Sequence, residues 1–322
     1  MSTTISRFAG LKNCSAGFNM PVGSSHSPFV QVSGVTSSKG NSLDGIGANL
    51  GANTSFTIEF WMMAAVPPTS EAGILTWGSV STAGNNVYFP WSIYVNSPSV
   101  QTTSGLKTVT VSAVRKGLNG TTARSETSTT PNAITCAVWH HIAFIRGFNA
   151  TPGNAQAAGT TSVYWNVVVD GVLATPGSSG NPPGPAPTTI TTSNQASSAA
   201  PTGSSVYFGS ENGSSASFQG LLSQVRIWDN ALSVAQVQTL MNHSLHGRAS
   251  LPFHGDSGAT SVNLLANWQG GEGFGSQLYD VAGLNHGNWK VQGTSSLVDA
   301  PGVWMALLPP RPPAMPSSIV GS

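Results

Sequence analysis

Charge is what this chain has least of: only 7% of its 322 residues are Asp, Glu, Lys or Arg, against about 25% in an average soluble domain. The net charge is +1, and the twelve Lys and Arg are scattered, with Arg115 and Lys116 as the densest pair. A nucleic-acid binder needs a basic stripe to neutralise phosphates, and this sequence has none. Long apolar runs are missing as well. No segment approaches the roughly 18 residues of a membrane-spanning helix, and Met1 to Arg7 lack the apolar core of a secretory signal. Cysteine is nearly absent. Cys14 and Cys136 could form one bridge, but two thiols are no disulfide scaffold, and buried free thiols are expected.

What is present is Gly, Ser, Thr, Asn and Pro, together with 39% hydrophobic residues. That apolar fraction can build a core, so global disorder is not expected. The surface must then consist of hydroxyls, amides and backbone. Such a surface gives copies little like-charge repulsion. It suits close packing against neighbours or hydrogen bonding to neutral polar partners such as sugars. Two origins fit this surface without an export signal: release from the cytosol as part of a virus particle, or a mature chain whose signal is gone.

Period-2 alternation of β-branched and aromatic residues recurs along the chain and predicts strands. In residues 55–62, Phe56, Ile58, Phe60 and Met62 share one face, and Glu59 is expected to face solvent from the other. Residues 87–95 read as a strand bent at Pro90, and 106–115, 139–146, 163–170, 206–209 and 221–228 alternate cleanly. Asp170-Gly171 is a turn signal. One helix is predicted: Ser233 as N-cap with Gln236 three residues on makes a capping box, and Val237, Leu240 and Met241 form an apolar stripe. The implied fold is all-β, an antiparallel two-sheet jelly-roll sandwich with one short helix and long Pro/Gly-rich loops.

Residues 148–161 and 174–204 interrupt this pattern as Pro-, Gly-, Ala- and Ser-rich insertions. The expected organisation is an N-terminal arm (1–26), the sandwich (27–303) and a Pro-rich C-terminal arm (304–322). The last should be extended polyproline running over a neighbouring subunit, with Trp304, Met305, Leu307 and Leu308 as the subunit contact.

The segments Ser55 to Trp61, Trp139 to Phe144 and Val168 to Val172 resemble the laminin-G-like branch of the concanavalin A-like jelly rolls. So do Phe218 to Ser233, which run into the capped helix, then Leu265 to Trp268, Gly271 to Gly273 and Tyr279 to Gly283. The resemblance covers residues 27–292. It implies a two-sheet jelly roll with rim loops open to ligands and functions from sugar binding to adhesion and virion surfaces, so fold alone does not settle function.

That resemblance reaches glucanases, which use two carboxyls about 5–10 Å apart. No two acidic residues lie within five positions of each other, and a hydrolase is not expected. His140 and His141 are adjacent in a strand and point to opposite faces, so they cannot share a metal. His243, His246 and His254 are better read as histidines near a helix C-terminus than as zinc ligands. The resemblance also implies calcium at the rim, but no clustered Asp/Asn loop is present. No cofactor is therefore expected, and calcium has no assigned ligands. Trp77, Trp91 and Tyr94 are the candidates for sugar stacking, with a core role as the competing reading.

The functional expectation is a non-enzymatic decoration, fibre or tail module on the surface of a particle or filament, foremost a virion. Its partners would be copies of itself or neighbouring structural proteins, and glycans. A free extracellular lectin is the alternative.

Overall fold

In the computed structural model the described residues are 15–18, 28–32, 55–78, 92–97, 106–116, 124–130, 134–148, 161–174, 187–190, 205–210, 218–242, 250–251, 262–270, 275–282, 285–292, 297–299 and 304–305. They form two antiparallel sheets. Sheet A runs in the order β11 (Val172–Ala174), β10 (Thr161–Val169), β9 (His140–Phe148), β3 (Phe56–Ala64), β14 (Gly220–Trp228), β1 (Ser15–Phe18), β20 (Trp304–Met305). β16 (Val262–Trp268) also pairs with β14, β15 (Ser250–Leu251) with β16, and β12 (Pro187–Ile190) with β10. Sheet B runs β17 (Gln277–Leu278), β18 (Gly287–Gln292), β2 (Phe29–Val32), β13 (Ser205–Phe208), β4 (Ala72–Gly78), β5 (Ser92–Asn96), β6 (Thr108–Lys116), β7 (Arg124–Thr129). β19 (Leu297–Asp299) pairs with β18, and β8 (Ile134–Thr135) with β6.

The main core lies between the sheets. Phe56, Ile58, Phe60 and Met62 face inward from sheet A, as their alternation predicts, and meet Val30, Val206, Phe208, Ile93 and Val111 of sheet B. Aromatic rings bridge the layers: Phe18 of β1 stacks on Trp289 of β18 at 5.2 Å, and Phe208 of β13 meets Trp268 of β16 edge-on at 5.0 Å. Gly209 has φ +78°, and a Cβ there would overlap the Phe18 ring, so only glycine lets the chain leave β13 at that point.

A smaller core covers the outer face of sheet A. Helix α1 (Val234–Leu240) lays Val237 and Leu240 against Ala143, Ile145, Val168, Trp228 and Leu264. The capping box is present as predicted: Gln236 N–H donates to Ser233 Oγ at 3.2 Å, and Ser233 N–H to Gln236 Oε1 at 2.7 Å. Thr57 Oγ1 ties down the approach to the helix, donating to Asn230 O and accepting from Leu232 N–H. Asp170 and Gly171 both adopt positive φ, 51° and 77°, in the tight turn from β10 to β11.

Three sequence expectations change. The segment 174–204 is not all loop: Pro187 to Ile190 forms β12, in register with Tyr164 to Thr161. Its Thr-Thr-Ile is β-branched, and Pro at the first position of an edge strand costs no ladder bond. The sandwich takes in β1 from the supposed N-terminal arm. The backbone of Trp304 and Met305, in the expected C-terminal arm, pairs with Ala16 and Ser15 of the same chain and so joins sheet A. Cys136 carries a free thiol but is only half-buried. Cys14, His243, His246, His254, Leu307, Leu308 and residues 87–91 lie outside the described residues.

Candidate ligand-binding face

The two outer faces of the sandwich are chemically different. On sheet A, Glu59 is 0% exposed rather than solvent-facing, because α1 roofs the face it points to. A bulge at Gln224 (φ 51°) breaks the alternation of β14, so that Val225 and Ile227 point inward while Arg226 and Trp228 face Glu59 and the helix. Glu59 Oε1 accepts from Arg226 Nη1 and Trp228 Nε1, each at 3.1 Å. Its Oε2 lies 3.4 Å from His141 Nε2, a close ionic contact but a long hydrogen bond. Arg226 Nη1 also donates to Leu240 O at 2.8 Å, and Trp61 Nε1 to Met241 O at 3.3 Å. The sheet thus supplies the donors that the C-terminal carbonyls of α1 need.

Burial alone would push the Glu59 carboxyl up. The hydrogen bond from His141 and the charge of Arg226 win, and hold it down at about 2. Asp170 is likewise held below its ordinary value, despite half-burial, by His140 Nδ1 and the His141 N–H, both at 2.8 Å. These carboxylates organise structure. A group as closed off as Glu59 cannot reach a glycosidic oxygen.

Among the described residues, sheet B carries no such roof of charged partners. A row of uncharged polar side chains crosses six of its strands in direct register: Gln277, Asn288, Gln31, Tyr207, Thr76, Ser92. At roughly 4.8 Å per strand the row is about 24 Å long. Alternation explains its position, since Val30, Val206, Phe208, Leu75 and Ile93 take the inward places on the same strands. Thr76 and Ser92 are buried, and the other four are half-buried. Gln31 Nε2 donates to Ser205 Oγ at 3.2 Å and Tyr207 Oη at 3.4 Å, and Gln277 Nε2 to Asn288 Oδ1 at 3.1 Å. The only strong charge pair described nearby is Lys290 with Asp299, at 2.7 Å.

At the β17–β18 end of this face a buried carboxylate sets the loop. Asp280, 2% exposed, accepts from the N–H groups of Asn267 and Ala282 at 2.9 and 3.0 Å and from Asn285 Nδ2 at 3.0 Å. Its own N–H donates to His286 Nδ1 at 3.1 Å. Tyr279, one residue before it, stands 44% exposed with its ring edge-on to His286 at 5.1 Å.

Of the three sequence candidates for sugar stacking, Tyr94 is the one whose burial is described. Tyr94 lies on the outer side of β5 but is 0% exposed, which leaves its ring no open face. Trp77 sits in β4 in register with Val206, and Trp91 is outside the described residues. Tyr279 was legible only as part of the closing-strand resemblance, because exposure cannot be read from a five-residue motif. Among the described residues no three His, Cys, Asp or Glu side chains are grouped to hold a metal ion, and the carboxylates of Asp170 and Asp280 are spent on internal donors. The calcium that the family resemblance implies finds no fitting ligand set there.

The chain belongs to the concanavalin A-like lectin/glucanases superfamily, whose laminin G type model matches residues 35–238. Its fold is therefore the lectin-like jelly roll. No curated protein matches the chain. Solved structures of similar fold include a candidate carbohydrate binding protein from Bacteroides ovatus, at 14% identity and TM-score 0.42, over 92% of this chain and 60% of that one. Another is the Ruminococcus gnavus IT-sialidase CBM40 bound to α2,3 sialyllactose, at 14% identity and TM-score 0.39, over 65% of this chain and 92% of that one. A third is the enzymatically active domain of bacteriophage CBA120 tailspike protein 2, at 13% identity and TM-score 0.31, over 59% of this chain and 25% of that one. Likeness at this level reports the fold alone. No helix among the described residues is long and apolar enough to cross a membrane.

Proposed function

We propose that this protein is a non-catalytic glycan-binding module that uses the outer face of sheet B and is carried on an exposed surface, foremost that of a virion. The observation that carries the binding role is the half-buried, uncharged row of Gln277, Asn288, Gln31 and Tyr207. Amides and hydroxyls both donate and accept, as sugar hydroxyls do, and no charge must be desolvated when a neutral ligand covers them. The full chain should bind at least one class of neutral glycan on an array. Gln31→Ala and Asn288→Ala should each weaken that binding about tenfold, or about 1.4 kcal/mol. An array with no signal for any glycan sinks the reading.

A separate observation supports mounting on a surface rather than a free lectin. Five of the six exposed large apolar residues described lie on neighbouring segments: Val66 (36%), Leu106 (57%), Val138 (48%), Val172 (68%) and Leu173 (37%). Backbone bonds bring their segments together, from Ala137 N–H to Ala64 O and from Cys136 N–H to Lys107 O, while Asp170 ties the β10–β11 turn to His140 and His141. Such a patch on a near-neutral chain marks a protein contact, and we take its occupant to be a second copy. Sedimentation should show concentration-dependent association that Leu106→Asp with Val172→Asp abolishes. A wild-type monomer at every concentration would contradict this contact.

A further inference from the structure

We infer that Tyr279 and His286 form a rigid stacking subsite for a neutral sugar ring at the β17–β18 end of the row; this rests on the glycan-binding reading above and gives that site its specificity. Tyr279 is the one aromatic ring among the exposed large apolar residues described, at 44% exposure. Sugar rings offer apolar C–H faces that pack on such a ring, while their hydroxyls point outward to polar groups. Those polar groups are in place. Gln277 is half-buried and Leu278 points into the core, and Tyr279 follows directly where β17 ends. His286 and Asn288 flank Gly287, whose Cβ position is filled from the core side by Val30.

The platform is held in advance of any ligand. His286 is braced against Tyr279 and fixed through Nδ1, which accepts from the Asp280 N–H. Asp280 is itself locked by donors from two different segments. A preformed aromatic shelf loses little conformational freedom on binding.

The chemistry also selects the ligand. Row and platform contain no cation, and the ammonium of Lys290 on the same face is already paired with Asp299. An acidic sugar would bring a carboxylate with nothing to offset its desolvation. The site therefore takes neutral sugars and rejects sialylated ones.

The test uses the full chain labelled with 3-fluorotyrosine. It has 5 tyrosines, and Tyr279→Phe identifies the Tyr279 resonance. Titration with lactose, cellotetraose, mannotriose and 3′-sialyllactose should shift that resonance with at least one neutral probe and not with sialyllactose. Tyr279→Ala should weaken the neutral probe at least tenfold while Tyr279→Phe and Tyr279→Trp keep it. If a neutral probe binds, with Gln31→Ala weakening it but Tyr279→Ala having no effect, the platform is wrong and the glycan-binding reading survives. Preference for sialyllactose overturns the neutral specificity. No shift with any probe, together with a blank array, removes both.

Discussion

Replacing Arg226 with Met should destabilise the fold by about 3–5 kcal/mol, the cost of stranding one partner of a buried ion pair. The guanidinium bonds both Glu59 and the Leu240 carbonyl, so its loss takes the arginine charge from a buried carboxylate and loosens the end of α1. Removing both charges, in Glu59→Leu with Arg226→Met, should restore most of the stability, because a well-packed apolar pair of similar volume is often as good. Chemical denaturation of the three proteins checks this, and equal midpoints for wild type and Arg226→Met would contradict it. The same pair predicts a pH dependence. Glu59 titrates at about 2 in the fold against 4.5 for the free group, so its stabilising contribution is complete above about 4.5 and is lost as pH falls from there toward 2. In Arg226→Met that acid limb should be smaller.

Asp280→Ala should cost about 3 kcal/mol or more, since the donors from Asn267, Ala282 and Asn285 lose a buried acceptor at about 1–3 kcal/mol each, with incomplete additivity. It should also weaken neutral-sugar binding in the molecules that remain folded, because the Asp280 backbone positions His286 and, through it, Tyr279. Asp280→Asn keeps one acceptor oxygen and should fall between the two. Thermal denaturation and sugar titration read the two effects separately. Loss of stability with unchanged binding would mean that the loop does not position the platform.

The fold was largely legible because alternation and turn chemistry are local. Phe56 to Met62 named their own inward face, Asp170-Gly171 its turn, and Ser233 with Gln236 its helix cap. The misreadings are tertiary. Glu59 looks exposed in any strand pattern, and only the helix that follows β14, some 170 residues later, closes over it. Nor could alternation anticipate the Gln224 bulge that turns Arg226 toward it, because a bulge shifts phase without a fixed residue signature. Composition also gave no sign that Trp304 and Met305 pair with β1 within the chain. The site was the least legible part. Its row joins six strands drawn from positions 31 to 288, and register of that kind is set by the whole sheet.

The most direct measurement of the central claim is amide hydrogen exchange on the full chain, with and without a neutral oligosaccharide taken from the array, followed by analysis of the recovered sugar. The account predicts added protection confined to β2, β13, β17 and β18, with the oligosaccharide recovered intact. Protection over α1 and the outer face of sheet A, or the appearance of shorter sugars, would contradict it.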